Sequence, residues 1–327
     1  MRYIISFLLT STAAFAEVPS VVTDIPPVHS LTAAVMQGLG EPVLLMEKGA
    51  SAHHYQLKPS QAGEIAAADL VVWVGPQMTP WLDRALETRA EGAALVSLLA
   101  AEGTWRQDFG AVGAVKADAG TAGHDHDHAD GQGTGQAPAL AGAGHADHAE
   151  AAHAHDGVDP HAWLDPANGK VWVGLIAAEL ARLDPENAAI YAANAAAAVA
   201  AIDAADAEAA ALLAPVKDRP FVAFHDAYGY FVGHYGLALA GTVALGDAAA
   251  PGAQRLSELR GKVEGGDVTC LFPEAQHDPA LVEQLAEGTG VAVGGHLDPA
   301  GAFMDPGPGL YPALLVGLAS TIAACGE

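Results

Sequence analysis

Short apolar runs alternate with helix-like segments along most of this sequence. One run, residues 69–75, is apolar at almost every position, which is typical of a strand buried on both faces of a parallel sheet. Segments of helical length separate such runs. The pattern therefore predicts an α/β protein with parallel sheets. The predicted strands cover residues 18–22, 42–46, 69–75, 94–98, 220–224, 238–243, 268–272 and 290–294, and the predicted helices cover 28–38, 59–68, 80–89, 165–183, 227–235, 253–265, 280–288 and 311–324.

A long alanine-rich segment, residues 187–214, divides these elements into two series. It contains no glycine and no proline, so we expect one continuous helix of roughly 40 Å at 1.5 Å per residue. A rod of that length is suited to cross between two lobes, and the 327 residues of the chain are too many for one small core. The expected division is a first lobe over residues 17–185, a linking helix over 186–215 and a second lobe over 216–327.

The first sixteen residues have the pattern of a secretory signal peptide. A basic start at Arg2 precedes an apolar stretch, residues 4–14, that is too short to span a bilayer. Ala14-Phe15-Ala16 then has the small–x–small form of a cleavage site. We therefore expect cleavage after Ala16 and export, most simply to a bacterial periplasm. A buried first strand or helix is the alternative.

Export changes the interpretation of the two cysteines, Cys270 and Cys325. In an oxidising compartment two cysteines favour a structural disulfide over a metal-binding pair. Such a bridge would attach the C-terminal helix to a predicted strand. Two buried free thiols are the alternative.

The charge balance excludes several classes of partner. The chain carries 39 acidic and 14 basic residues, a formal net charge of −25. Such a field repels nucleic acid and anionic membrane surfaces and attracts cations. We therefore expect no nucleic-acid partner. We also expect no direct membrane insertion, because no later stretch offers an uncharged apolar run of about 20 residues.

Seven histidines are concentrated among acids, glycines and alanines between residues 123 and 156. Imidazole and carboxylate are ligands that zinc and similar divalent metals accept. The segment has almost nothing to bury, so we expect a disordered loop, about 118–157, that binds metal. A solvated acidic loop without metal is the alternative. The histidines are His124, His126, His128, His145, His148, His153 and His155.

Four other candidate ligands lie in loops that follow predicted strands or precede predicted helices: His53, His161, His225 and Asp298. In an open α/β sheet, ligands bind outside the carboxyl ends of the strands. Three imidazoles and one carboxylate would complete a tetrahedral zinc site. Spacing alone only suggests this, because a single loop histidine is usually a surface residue.

The segments around these positions resemble the ZnuA-type periplasmic zinc-binding proteins of bacterial zinc ABC importers. The resemblance extends from about residue 18 to 325, and an acidic histidine loop before the second ligand segment is itself typical of that family. The segments are GASAHHYQLKPS at 49–60 with DLVVWVGP at 69–76, DPHAWL at 159–164, FHDAYGYF at 224–231 and LDP at 297–299.

The resemblance implies two doubly wound α/β lobes joined by one long rigid helix, with zinc bound in the cleft between them. It implies His53, His161 and His225 as imidazole ligands and Asp298 as the carboxylate. Because a single rigid helix resists bending, binding should produce small tilts of the lobes and not wide closure. We expect Trp163 and Tyr228 to pack around the cleft, with ordinary core packing as the alternative, and we consider Asp226 as a partner that orients an imidazole.

Two positions bear on the choice of metal and on the ligand set. The related manganese-binding proteins carry glutamate where this chain has His225, and the additional nitrogen favours zinc. Where family members often have an acid before the first ligand histidine, this chain has Ala52, and His54 follows instead. The role of that acid is absent here, or is taken by water, Asp298 or His54.

The sequence thus predicts a monomeric, high-affinity zinc-binding protein, not an enzyme, that captures Zn²⁺ and delivers it to an ABC permease. The histidine-rich loop would be an accessory site of lower affinity. A zinc hydrolase is one alternative, but it would need an open coordination position and a general base. A periplasmic zinc buffer that works without a permease is the other.

Overall fold

A computed structural model describes residues 18–111, 157–244 and 251–325. The predicted signal peptide and all seven histidines of the predicted loop lie outside the described residues. The two lobes, both built on parallel sheets, confirm the predicted fold class.

The first lobe is a four-stranded parallel sheet in the order β2-β1-β3-β4. Its central strands are buried at every position, as the continuous apolar run at 69–75 predicts. Each observed strand is shorter than its predicted run, because only some of the apolar residues pair with a neighbouring strand, and β1 extends to Thr23, one residue past the predicted end. The strands are Val21–Thr23 (β1), Val43–Leu44 (β2), Leu70–Trp73 (β3) and Ala94–Ser97 (β4), and the helices are Pro26–Val35 (α1), Pro59–Ala67 (α2) and Pro80–Leu86 (α3).

Two helices follow the first sheet. Asp165 caps the first of them, since its carboxylate accepts the backbone N–H of Ala167 at 2.8 Å, and Pro166 occupies the first helical position. The predicted long helix joins the two lobes as one continuous element after a 3₁₀ turn at Pro185–Asn187. The two helices are Pro166–Leu183 (α4) and Ala188–Leu213 (α5).

The second lobe repeats the plan of the first, with strand order β6-β5-β7-β8 and parallel pairing throughout. The two central strands of this sheet pair so that Val222 lies opposite Leu271. This pairing determines which residues lie side by side just beyond the ends of the two strands. The strands are Phe221–Ala223 (β5), Leu239–Thr242 (β6), Cys270–Leu271 (β7) and Ala292–Val293 (β8), and the helices are Gly229–Tyr235 (α6), Ala253–Glu264 (α7), Ala280–Ala286 (α8) and Leu310–Ala323 (α9).

Helices α1, α4, α5 and α9 pack on one another between the two sheets. Tyr311 on α9 is fully buried, donates its hydroxyl to the carbonyl of Trp163 at 2.6 Å and donates its backbone N–H to the hydroxyl oxygen of Ser30 at 2.9 Å. A side chain at Gly169 on α4 would place its Cβ against the hydroxyl and ring of Tyr311, closer than van der Waals contact allows, so this contact requires glycine. The last helix therefore packs on α1 and α5 and contacts α4 at Gly169.

Helix α5 is both long and strongly apolar. With the preceding turn, over Pro185–Leu213, it is long and apolar enough to cross a membrane by length and composition alone. Its apolar character comes mostly from alanine, and it packs against α4 and α9 of the same chain.

A disulfide joins Cys270 at the start of β7 to Cys325 just beyond α9, with their Cα atoms 6.3 Å apart. Both cysteines are buried, and the bridge confirms the predicted pairing. It fixes the end of α9 to the sheet of the second lobe, so this helix is tied to one lobe covalently while it packs on the other.

Candidate metal centre

Three histidines from separate parts of the chain converge between the lobes. His53 lies in the loop after β2, His161 immediately precedes a 3₁₀ turn at Ala162–Leu164, and His225 follows β5. One ring nitrogen of each lies within 4.8 Å of the others. The structure thus brings together three of the four predicted ligands.

The spacing of the closest pair fits a shared metal ion. The Nε2 atoms of His53 and His161 are 3.3 Å apart. Zinc–nitrogen bonds of about 2.0–2.1 Å at tetrahedral angles place two donor atoms roughly 3.3 Å apart. The same distance also allows a hydrogen bond between the two rings when one of them donates.

A buried carboxylate fixes the orientation of His161. The Nδ1 atom lies 2.8 Å from Oδ1 of Asp159, which also accepts the backbone N–H of His161 at 3.0 Å. The other oxygen accepts the side-chain amide of Gln107 at 3.2 Å. When the carboxylate accepts the Nδ1 proton, the lone pair of His161 is on Nε2, where a metal can bind it.

The register of the second sheet gives His225 an equivalent partner. Val222 lies opposite Leu271 in the sheet, and His225 and Glu274 each come three residues later in sequence. This register therefore brings His225 beside Glu274. The Nδ1 atom of His225 is 2.7 Å from Oε1 and 2.6 Å from Oε2 of this carboxylate, which is 1% exposed. Tyr228 donates its hydroxyl to Oε1 at 2.9 Å, so the carboxylate is itself held in place.

Glu274 and Asp159 were not predicted from the sequence as partners of the histidines, and Asp226 was considered instead. Asp159 could have been found, because it stands two residues before His161 in the same segment. Glu274 lies 49 residues from His225, and only the strand register connects them.

His53 differs from the other two histidines in its exposure. It is partly exposed, whereas His161 and His225 are buried. Its loop is fixed by the indole of Trp81, which donates to the carbonyl of Ala52 at 2.6 Å. The neighbouring His54 is exposed. His53 is therefore the most accessible of the three to an ion that approaches from solvent.

Asp298 does not belong to the group of donor atoms within 4.8 Å that the three histidines form in the described part of the chain. Its two carboxylate oxygens accept the backbone N–H groups of Ala302 at 2.9 Å and Phe303 at 3.0 Å. Burial raises the pKa of this carboxyl above its ordinary value, and the negative charge of Glu274 raises the pKa further. Asp298 thus lies outside the histidine group, and its role as a ligand stays a prediction.

Two large aromatic residues close the inner side of the site. Trp163 and Tyr228 are both fully buried. The indole of Trp163 lies 5.3 Å from the His161 ring, between ring centres, and donates to the carbonyl of Pro299 at 2.8 Å. Because Trp163 follows the first sheet and Pro299 follows the second, this bond also joins the two sides of the cleft.

Further bonds join the rims of the cleft. The backbone N–H of Gly49 donates to the carbonyl of Ala302 at 2.8 Å, and the side-chain amide of Gln276 donates to the carbonyl of Ala50 at 2.5 Å. An exposed ion pair links Lys48 to Asp305 at 2.7 Å. The loop that carries His53 is therefore attached to the second lobe at several points.

The two described segments that flank the predicted histidine-rich loop pair with each other beside this site. Asp108 and Val158 form an antiparallel bridge, and the backbone N–H of Asp159 donates to the carbonyl of Gln107 at 2.9 Å. The segment between them thus begins and ends next to the carboxylate that orients His161.

The substitution Glu274→Gln tests the role of the buried carboxylate. Glutamine keeps an oxygen that can accept a bond but removes the charge that makes the imidazole a better ligand. We expect zinc affinity to fall about 10- to 100-fold, as is usual for partners of metal-bound histidines. Competition titration against a zinc chelator measures the change.

Asp226→Asn is the matched control, because it neutralises the acid next to His225 in sequence. We expect a smaller loss from it than from Glu274→Gln. The reverse order would show that Glu274 does not orient His225.

Comparison with known families places the chain among zinc-uptake proteins. Residues 21–325 match the family ZnuA, described as "Zinc-uptake complex component A periplasmic". The chain is 45% identical over 312 residues to the high-affinity zinc uptake system protein ZnuA of Paracoccus denitrificans, covering 95% of this chain and 93% of that protein. It is 41% identical over 306 residues to the protein of the same name from Brucella abortus, covering 93% and 91%.

Solved structures agree with this placement. A crystal structure of ZnuA superposes with a TM-score of 0.71 over 94% of this chain and all of the other, at 23% identity, which shows a shared fold. A zinc-bound deletion mutant of ZnuA superposes with a TM-score of 0.70 at 25% identity, covering 94% of this chain and 98% of that one.

Proposed function

Because the chain belongs to the ZnuA family of periplasmic zinc-uptake components, we propose that it captures Zn²⁺ with high affinity and delivers it to an ABC permease. The family is one of binding components, so the chain is a binding protein and not a hydrolase. The observation that carries the proposal is the convergence of three histidines, two of them oriented by buried carboxylates. Relatives named for zinc uptake cover nearly the whole chain.

The proposed ligands are His53, His161 and His225, with Asp298 as the fourth. Support comes from the 3.3 Å separation of two imidazole nitrogens and, for Asp298, from its place in the LDP segment at 297–299 that resembles the family. Three nitrogen donors and one carboxylate suit zinc better than harder ions such as manganese. A zinc ion beside Asp298 would also compensate the negative charge of Asp298 and Glu274.

We also propose the periplasm as the compartment and an ABC permease as the partner. Export with cleavage after Ala16 would deliver a monomer to the periplasm, where a permease receives the ion. The bonds across the cleft rims and the continuous α5 helix support small movements of the lobes on binding. A zinc buffer that works without a permease is the competing function. Deletion of the gene should abolish growth on limiting zinc, and rescue by an unrelated periplasmic zinc chelator would favour the buffer.

The histidine-rich segment is proposed as an accessory zinc site of lower affinity. It contributes seven histidines in a glycine- and alanine-rich sequence, which does not predict a preorganised tetrahedral site. The described residues that flank it, Asp108 and Val158, pair beside Asp159, so the segment is attached to the fold next to the cleft.

Removal of residues 123–156 tests the separation of the two sites. Because Asp108 and Val158 already pair, the shortened segment can close without disturbing Asp159. We expect the number of bound zinc ions to fall while one tight site remains with its affinity unchanged. Calorimetric titration of zinc into the metal-free protein measures both quantities.

The matched control keeps the length of the segment and replaces its seven histidines with glutamine. It should lose the same additional zinc ions as the deletion. Loss of the tight site in either variant would contradict the proposed assignment, because the tightest ligands would then lie in the segment.

A further inference from the structure

We propose that Glu274 and His277 form a second, weaker zinc position on the outer side of His225, through which the ion exchanges between solvent and the tight site. The inference rests on the proposed function, and it adds a route for the metal. It concerns residues that are not among the predicted ligands of the tight site.

The donor atoms of this outer position are already close together. Nε2 of His277 lies 3.7 Å from Oε2 of Glu274, and one ring nitrogen of His225 lies within 4.8 Å of both residues' donor atoms. A tetrahedral zinc ion places two of its donors roughly 3.3 Å apart, so Glu274 and His277 need to approach by only a few tenths of an ångström. Two protein ligands with water in the other positions would bind more weakly than the three-histidine site.

His277 connects the buried carboxylate with the surface. Its side chain is 18% exposed, whereas that of Glu274 is 1% exposed. It borders a surface depression of about 450 Å³, which Phe224, Asp278 and Leu281 also line. An ion in this depression first meets the Asp278 carboxylate and the exposed part of the His277 ring, while Nε2 of His277 and the Glu274 carboxylate lie buried.

The orientation of His277 is set by stacking. Its ring lies on the ring of Phe224, with centres 4.3 Å apart and an angle of 20° between the planes. Its backbone N–H donates to the carbonyl of Glu274 at 3.2 Å in a tight turn. The ring is therefore held beside the carboxylate without depending on a metal.

His225 belongs to both groups of donor atoms, since it lies between the inner histidines and the Glu274–His277 pair. Its ring centre is 5.4 Å from that of His161 and 6.3 Å from that of His277. An ion at the outer position is thus one imidazole away from the tight site, and that short separation makes stepwise transfer possible.

A site on the route, but not in the final complex, changes rates without changing affinity. Removing the imidazole of His277 should slow zinc association and zinc dissociation by the same factor, which leaves the Kd unchanged. We expect a factor of about ten, equivalent to about 1.4 kcal/mol in each barrier.

The test is stopped-flow measurement of zinc capture and of zinc release to a fluorescent chelator, on the mature protein and on His277→Phe. Phenylalanine keeps the stack on Phe224 and removes the ligand, and His277→Gln serves as a second variant should the first fold poorly. His296→Gln is the matched control, because His296 approaches only the backbone carbonyl of Glu274, at 3.3 Å.

We expect zinc capture and zinc release to slow by the same factor in the two His277 variants. Both rates should equal those of the wild type in His296→Gln. Unchanged rates in the His277 variants would overturn the proposal, and so would faster release with a weaker Kd, which would make His277 part of the tight site. Failure of the proposed function itself would be seen separately, as absence of a tight zinc site in the unsubstituted protein.

Discussion

Replacing His161 with alanine should abolish tight zinc binding. His161 is 2% exposed, and its Nε2 atom lies 3.3 Å from Nε2 of His53. Asp159 fixes the orientation of its ring. Its loss removes one of the proposed ligands and leaves the Asp159 carboxylate buried without the imidazole it holds. The incomplete shell cannot be repaired by another side chain without movement of the backbone. We expect a loss larger than the roughly 100-fold that removal of an outer partner causes.

The measurement is competition between the variant and a chelator of known zinc affinity, with the histidine-rich segment removed so that only the tight site reports. His54→Ala is the matched control, because His54 is adjacent to a proposed ligand but is exposed. Its affinity should equal that of the parent. Tight binding that survives His161→Ala but not His54→Ala would mean that the first ligand is misassigned.

The second large effect concerns stability. Replacing both Cys270 and Cys325 with serine should lower the free energy of unfolding by about 4 kcal/mol, the value expected from chain entropy for a loop of this size. The bridge closes a separation of 55 residues and ties α9 to β7. Because α9 also packs on α1 and α5, its release would loosen contacts on both sides of the molecule.

Urea unfolding of the metal-free protein measures this loss, since bound zinc would add its own stabilisation to the folded state. Reduction of the unsubstituted protein should lower the unfolding free energy by a similar amount. A double substitution that costs less than about 1 kcal/mol would show that packing alone holds the terminal helix in place.

The elements of the fold were predictable because their signals are local. The capped start of α4 at Asp165 and Pro166 and the uninterrupted α5 were both predicted from the sequence to within about two residues. Strand lengths were overestimated, as at β7, where residues 268–272 form an apolar run but only Cys270 and Leu271 pair. Pairing depends on both neighbouring strands, which no single run of sequence records.

The grouping of the candidate ligands was predictable only where they stand in motifs. His53, His161 and His225 were identified from such segments, and the structure brings these three together. The partnership of His225 with Glu274 depends on the register of β5 against β7, and the stack of His277 on Phe224 depends on the turn after β7. These contacts arise from tertiary structure, so neither motif nor spacing could predict them.

The most direct test of the central claim is anomalous X-ray scattering at the zinc edge from crystals of the mature protein that carry one equivalent of zinc. The proposed ligand set predicts one strong peak about 2.0–2.1 Å from a ring nitrogen of each of His53, His161 and His225. A strong peak elsewhere, with none between these three rings, would contradict it.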